Sequence, residues 1–319
     1  MKGLLIMTGM FLSCAALLVA GGQRDRAVDS NATGKPKVVA TIFPPFDFTR
    51  EIAGERVNLA MLLPPGTESH SYEPSPQDII TIQRCDIFIY GGGESDAWVD
   101  RVLDSMDAGR MKIVRLMDCV EAVEEVIVEG MEAESEPGGA EAASEYDEHV
   151  WTSPKNAMLI VQAISRVLCE VDAKNALEYQ RNTVAYCAKL DTLDAAFQEV
   201  VAGAARKTIV FGDRFPFRYF AEAYGLSYFA AFPGCSTETE PSAATVAFLI
   251  NKVKAEKIPV IFHIELSNER MADTISEATG AKKRLFHAGH NITKRDFERG
   301  VSYMELSYQN LDNLKEALQ

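Results

Sequence analysis

The sequence is poor in positive charge, in histidine and in paired cysteine, and each shortage excludes something. Its 319 residues hold 32 lysines and arginines against 46 aspartates and glutamates, a formal net charge of −14. So acidic a chain is a poor partner for nucleic acid, whose phosphates recruit basic surfaces, and it suits cations instead. The six cysteines (Cys14, Cys85, Cys119, Cys169, Cys187 and Cys235) form no C-x-x-C pair and are odd in number once Cys14 is set aside. A zinc–thiolate site is therefore not expected. Export would permit a disulfide, but the spacing pairs none of them, and buried free thiols fit as well. HExxH is absent, and after residue 22 no apolar run is long enough to span a bilayer. From Leu116 to Pro154 lysine and arginine are missing altogether.

What is present begins with a leader. Residues 1–22, MKGLLIMTGMFLSCAALLVAGG, carry an early lysine, an apolar run and then small residues, the order of an export signal. Two processing routes are open: lipidation of Cys14 after Phe11, Leu12 and Ser13, or cleavage among Ala20, Gly21 and Gly22. Either places the chain outside the cytoplasm, in a periplasm or anchored on the outer face of the membrane. Residues 23–36 are polar and turn-rich and read as a flexible tether.

From Lys37 strands and helices alternate. KVVATIF, VNLAMLL, CDIFIYGGG and MKIVRLM read as buried strands, with helices in PFDFTREIAG, PSPQDIITIQRC and DAWVDRVLDSM between them. That is a parallel α/β lobe over residues 37–172, interrupted at 118–148 by an acidic loop without an apolar period. SPKNAMLIVQAISRVLCEV is a helix, and a second, proline-free helix capped by Asp172 fills 173–205. It spans about 30 residues and about 45 Å, enough to bridge two lobes. The alternation resumes through 206–319 as a second lobe, from KTIVFGD to the closing helix VSYMELSYQNLDNLKEALQ. The expected fold class is thus α/β: two parallel-sheet lobes joined by one long rigid helix.

Only five histidines occur, and four lie on segments that follow strands, where such lobes place ligands. His70 lies in LLPPGTESHSYEPSP, and His149 stands before the helix that starts near Ser153 and Pro154. Both are in proline-stiffened segments beside acidic residues able to orient an imidazole through its second nitrogen. His263 and Glu265 alternate along VIFHIEL and share a face; His287 and His290 flank a glycine in FHAGHN. A lone loop histidine is more often structural than a ligand, but the joint pattern points to a metal.

Taken together, TIFPPFDFTREIAG, LLPPGTESHSYEPSPQDI, GGGES, EHVWTSPKNA, YFAEAYGL, TETEPS and SYMELSYQNLDNLKEAL resemble the zinc/manganese solute-binding proteins of ABC importers, over nearly the whole chain after its leader. The resemblance implies a single divalent metal held in the cleft between two lobes and delivered to a membrane permease by a monomer without catalysis. By matching motif it makes His70 and His149 the ligands of the first lobe. In the second lobe the family's HDAFxYF motif is GDRFPFRYF, with Gly212 in the histidine's place. Asp213 is the nearest replacement, or else a structural carboxylate paired with Arg214 or Arg218. The family's fourth ligand falls near FHAGHN, which implies His290, with His287 as the alternative. Glu265 matches a glutamate the family often carries at that strand end; a supporting contact is expected of it, with ligation as the alternative.

Two or three imidazoles, with or without one carboxylate, would favour Zn2+, with Mn2+, which prefers more oxygen ligands, or iron the alternative. Binding needs neutral imidazoles and should weaken below about pH 6. The acidic loop would collect cations weakly or serve only as a solvated linker. Two further roles stay open on the sequence. A zinc hydrolase would keep one metal position for an activated water, with Glu265 its only evident base. Cell adhesion is open to any surface-anchored binding protein.

Overall fold

A computed structural model describes residues 34–319 apart from 71, 107–108, 132–145 and 237–239. The expected export signal with Cys14, the tether as far as residue 33 and the middle of the acidic loop lie outside the described residues. In the first lobe β1 (Lys37–Ala40), β2 (Asn58–Met61), β3 (Ile87–Tyr90) and β4 (Lys112–Arg115) pair in parallel in the order β2-β1-β3-β4. β3, IFIY, is buried along its whole length, as a central parallel strand covered on both faces must be. The crossovers are α1 (Phe43–Ala53), α2 (Pro76–Gln83) and α3 (Ala97–Asp104). α2 starts where Ser75 and Asp78 cap one another reciprocally, the arrangement coded by SPQD.

After α4 (Pro154–Val171) comes the connecting helix α5 (Ala176–Ala202). It has 27 residues, about 40 Å of helix, and starts later than expected because residues 173–175 form a separate 3-10 turn. Asp172 does not cap backbone amides there; its Oδ2 accepts from Asn175 Nδ2 and Tyr179 Oη, both at 2.7 Å. Tyr179, Tyr186 and Leu190 belong to the first lobe's core, and Leu193, Phe197 and Val201 to the second's. Each such side chain contributes roughly 1.5–3 kcal/mol by burial, so one helix is fastened into both cores.

The second lobe holds β5 (Thr208–Phe211), β6 (Arg214–Phe215), β7 (Ser227–Phe229), β8 (Phe232–Pro233), β9 (Val260–His263) and β10 (Lys282–Leu285). Four of them form a parallel sheet, β10-β9-β5-β7, and β6 with β8 makes a short parallel pair that the sequence pattern does not suggest. The helices are α6 (Arg218–Tyr224), α7 (Ala243–Glu256), α8 (Arg270–Thr279), α9 (Lys294–Glu298) and α10 (Tyr303–Leu318).

α10 is a second tie between the lobes. Tyr303 and Leu306 lie in the first core, whereas Leu314, Ala317 and Leu318 lie in the second. At its start the Tyr303 amide donates to Asp47 Oδ2 and its hydroxyl to the Trp151 carbonyl, each at 2.7 Å. With helices fastened into both cores at two places, small shear is favoured over wide hinge opening. Cys85, Cys119, Cys169, Cys187 and Cys235 are all free thiols. Among the described residues no helix is long and apolar enough to cross a membrane.

Candidate metal centre

Three loops converge between the lobes. The segment after β2 carries His70, and Gly66, at φ 86°, lets it turn back so that its N–H donates to the Ile292 carbonyl at 2.8 Å. The segment after β10 carries His290. Its neighbour Asn291, 1% exposed, donates through Nδ2 to the carbonyls of Pro64 and Thr67, both at 2.8 Å. The loops bearing His70 and His290 are therefore laced together. The third segment, 147–152, leads into α4, and the Val150 amide donates to the Glu148 carbonyl at 2.8 Å. That closes a tight three-residue turn on His149.

His70, Glu148, His149 and His290 each bring one donor atom within 4.8 Å of the others. The rings of His149 and His290 lie 4.5 Å apart, those of His70 and His290 5.1 Å, and those of His70 and His149 5.9 Å. Asp147 Oδ1 accepts from the His149 amide at 2.7 Å and lies 2.9 Å from Nδ1. A carboxylate there holds the proton on Nδ1 and leaves Nε2 as the lone-pair nitrogen. Nε2 is buried and has no partner among the described residues, an arrangement that a cation would complete. Trp151 walls the group, its ring 4.7 Å from that of His290, with Nε1 donating to the Ala288 carbonyl at 2.8 Å.

The imidazoles differ in their affinity for protons. Burial first, then the neighbouring His290, lowers His70 to about 2 against the opposing pull of Glu148. His290 is held well below 6.5 by burial and then by His149 and Arg214. His149 goes the other way. Burial alone would lower it, but Asp147, helped by Glu148 and Glu125, raises it above 6.5.

The other expected site residues are placed elsewhere. Asp213 stands outside the group because its oxygens are taken by the backbone: Oδ1 accepts from the Arg214 amide at 2.9 Å and Oδ2 from the Ile264 amide at 3.2 Å. The guanidiniums of Arg214 and Arg218 pair instead with Glu68 and Glu222. His287 faces α10, its Nε2 3.2 Å from Gln309 Oε1 and its amide donating to Asn310 Oδ1. Glu265 accepts from the Ala288 amide at 2.7 Å and from those of Gly289 and His290, so it cradles the loop that carries His290. Burial raises it to about 7, against the pull of these amides. Glu148 is the member that the sequence reading does not single out. An acidic residue next to a ligand histidine reads as its orienting partner, and here that task falls to Asp147.

Gly212 has a steric reason. A Cβ at this position would lie 2.6 Å from Ala272 Cα and 2.7 Å from Ala272 N, inside α8, so this backbone admits no side chain. Gly212→Ala is expected to destabilise the fold by about 1–3 kcal/mol through overpacking. Urea unfolding reads this as a lowered midpoint, and an unchanged midpoint would mean that α8 moves aside freely.

Known proteins of similar sequence and shape bind metals. Over 307 residues the chain is 32% identical to the zinc-binding lipoprotein AdcA of Streptococcus pneumoniae strain R6, covering 95% of this chain and 59% of that protein. It thus spans somewhat over half the length of that relative. With the high-affinity zinc uptake system protein ZnuA of Bacillus subtilis it shares 31% identity over 317 residues, 98% of this chain and 97% of the other. The crystal structure of the Zn(II)-bound ZnuA-like domain of S. pneumoniae AdcA superposes with a TM-score of 0.74 at 32% identity, covering 89% of this chain and 99% of that one. Residues 38–317 match the family ZnuA, described as zinc-uptake complex component A, periplasmic, and the chain belongs to that family.

Proposed function

We propose that the protein is an extracytoplasmic solute-binding protein that captures one Zn2+ between its lobes, through His70, His149, His290 and Glu148, and delivers it to the membrane permease of an ABC importer. The observation that carries this reading is a closed group of three imidazoles and one carboxylate around a buried, unpartnered His149 Nε2. Three nitrogens and one oxygen match zinc's preference for four ligands of this kind, whereas Mn2+ would seek more oxygens. Four protein donors also leave no position for the activated water that a hydrolase requires. The zinc-binding relatives support the same cargo.

Competition titration of the metal-stripped chain with zinc and manganese tests it: one tight zinc site and weaker manganese are expected, and no tight site for either would sink the reading. The pH dependence is a sharper expectation. Zinc must displace a proton from His149 wherever pH is below that residue's raised value, while His70 and His290 are already neutral. On acidification affinity should therefore start to fall while the pH is still above 6.5, earlier than free imidazole suggests. The slope should be about one decade per pH unit, one proton displaced per zinc. A slope near three would mean that all three histidines carry protons in the empty site.

A further inference from the structure

Ser95, on the turn between β3 and α3, touches two members of the group at once. Its amide donates to Glu148 Oε2 at 3.0 Å and its hydroxyl to Glu148 Oε1 at 2.5 Å, while the same Oγ lies 2.8 Å from His70 Nδ1. The turn closes directly on the carboxylate. Gly93 sits at φ +82°, and a Cβ there would stand 2.5 Å from both Cβ and Oε2 of Glu148, so only glycine lets the two segments meet. The Glu148 side chain is 3% exposed and has little room to rotate. Of its two oxygens, Oε1 faces the histidines, 3.7 Å from His290 Nε2 and 3.9 Å from His70 Nδ1. Oε2 is turned toward the Ser95 amide and Gly93.

We infer that Ser95 clamps Glu148 so that it can offer a metal one oxygen only, and that this clamp biases the centre toward four-coordinate zinc and against manganese. The inference rests on the metal centre proposed above and assigns its selectivity to a residue that does not touch the ion. Tetrahedral zinc with bonds of about 2.0–2.2 Å has donor–donor edges of about 3.3–3.6 Å. The Oε1–Nε2 separation of 3.7 Å is close to such an edge. A chelating carboxylate, which would raise the oxygen count toward what Mn2+ prefers, needs Oε2 as well. The same serine also sets His70. A hydroxyl has one proton, and Ser95 gives it to the carboxylate. The contact with His70 is then an Nδ1–H donating to Ser95 Oγ, which leaves His70 Nε2 to bind the metal. Ser95 is thus a positioning residue for two ligands.

The test uses the full chain, stripped and reloaded with Zn2+, Mn2+ or Co2+. Ser95→Ala keeps the amide on Oε2 but loses the hydroxyl that fixes Oε1, so the carboxylate can pivot; it should lose about 10–100-fold in zinc affinity, as loss of an orienting partner does. Its manganese affinity should hold or rise, so the zinc-over-manganese ratio falls at least about tenfold. The visible absorption of bound Co2+, intense in four-coordinate sites and weak in higher ones, should weaken. Ser95→Thr keeps the hydroxyl and the amide and should keep the wild-type ratio and spectrum. An equal loss for both ions with an unchanged Co2+ spectrum would overturn the clamp and leave Ser95 a purely structural residue. A Thr variant that loses the ratio would overturn it too. Wild-type protein that binds neither zinc nor manganese tightly would instead remove the metal centre itself.

Discussion

His149→Ala is expected to lower zinc affinity by more than about 100-fold, beyond the roughly 10–100-fold of an orienting partner. The change removes Nε2 of His149, which among the described residues is the one nitrogen of the group's imidazoles that lies buried without a partner. It also leaves Asp147, whose Oδ1 serves both the amide and the ring of His149, without the imidazole it holds. Asp147→Asn keeps the ligand and loses only its orientation, so it should fall inside the smaller range. The empty protein should respond as well. His149 has a folded pKa raised above 6.5, so its proton stabilises the fold fully below 6.5, and that contribution disappears as pH rises through the folded value. The alanine variant should therefore be most destabilised relative to wild type under mildly acidic conditions. Chelator competition and urea unfolding at several pH values measure the two effects. Equal zinc affinity in the wild type and the alanine variant would remove His149 from the centre.

The lobes and the connecting helix were legible because they depend on periodicity, which survives translation into structure. A short apolar run such as IFIY, closed by three glycines, reads as a buried strand, and 27 proline-free residues can continue as one helix. The histidine loops were legible through their motifs. Glu148 was not, because consecutive residues on an extended segment point to opposite sides. His149, at φ −81° and ψ 44°, leaves the strand region and lets both neighbours reach one point, a local turn that no residue pattern announces. Asp213 misled for the opposite reason. Its type and place suit a ligand, but two backbone amides already occupy its oxygens, and amide direction cannot be read from side-chain chemistry. The fastening of α10 into both cores was equally hidden, since an amphipathic helix does not say which core its apolar face enters. By motif Gly212 stands where the family carries a histidine; in the fold it is a helix-packing contact.

Trp151→Ala should produce the largest loss of stability, about 3–5 kcal/mol. The side chain is 1% exposed within the first lobe's core, and its carbonyl receives the Tyr303 hydroxyl at the start of α10. Its indole N–H crosses to the Ala288 carbonyl, two residues before His290, while its ring stands edge-on to that of His290. Core packing and ligand placement thus meet in one residue, and Trp151→Phe separates them. Phenylalanine retains much of the apolar contact but leaves the buried Ala288 carbonyl without its donor, a loss of about 1–3 kcal/mol. The loop bearing His290 is then held by Glu265, Asn291 and the backbone bonds from Phe43 and Gly66, without its tie to the indole. Zinc affinity should fall in the Phe variant by more than its modest effect on unfolding suggests, because the freed loop carries the only member of the group drawn from the second lobe. If the Phe variant binds zinc as tightly as wild type, the cradle formed by Glu265 is sufficient to set His290, and the role of Trp151 ends at the core.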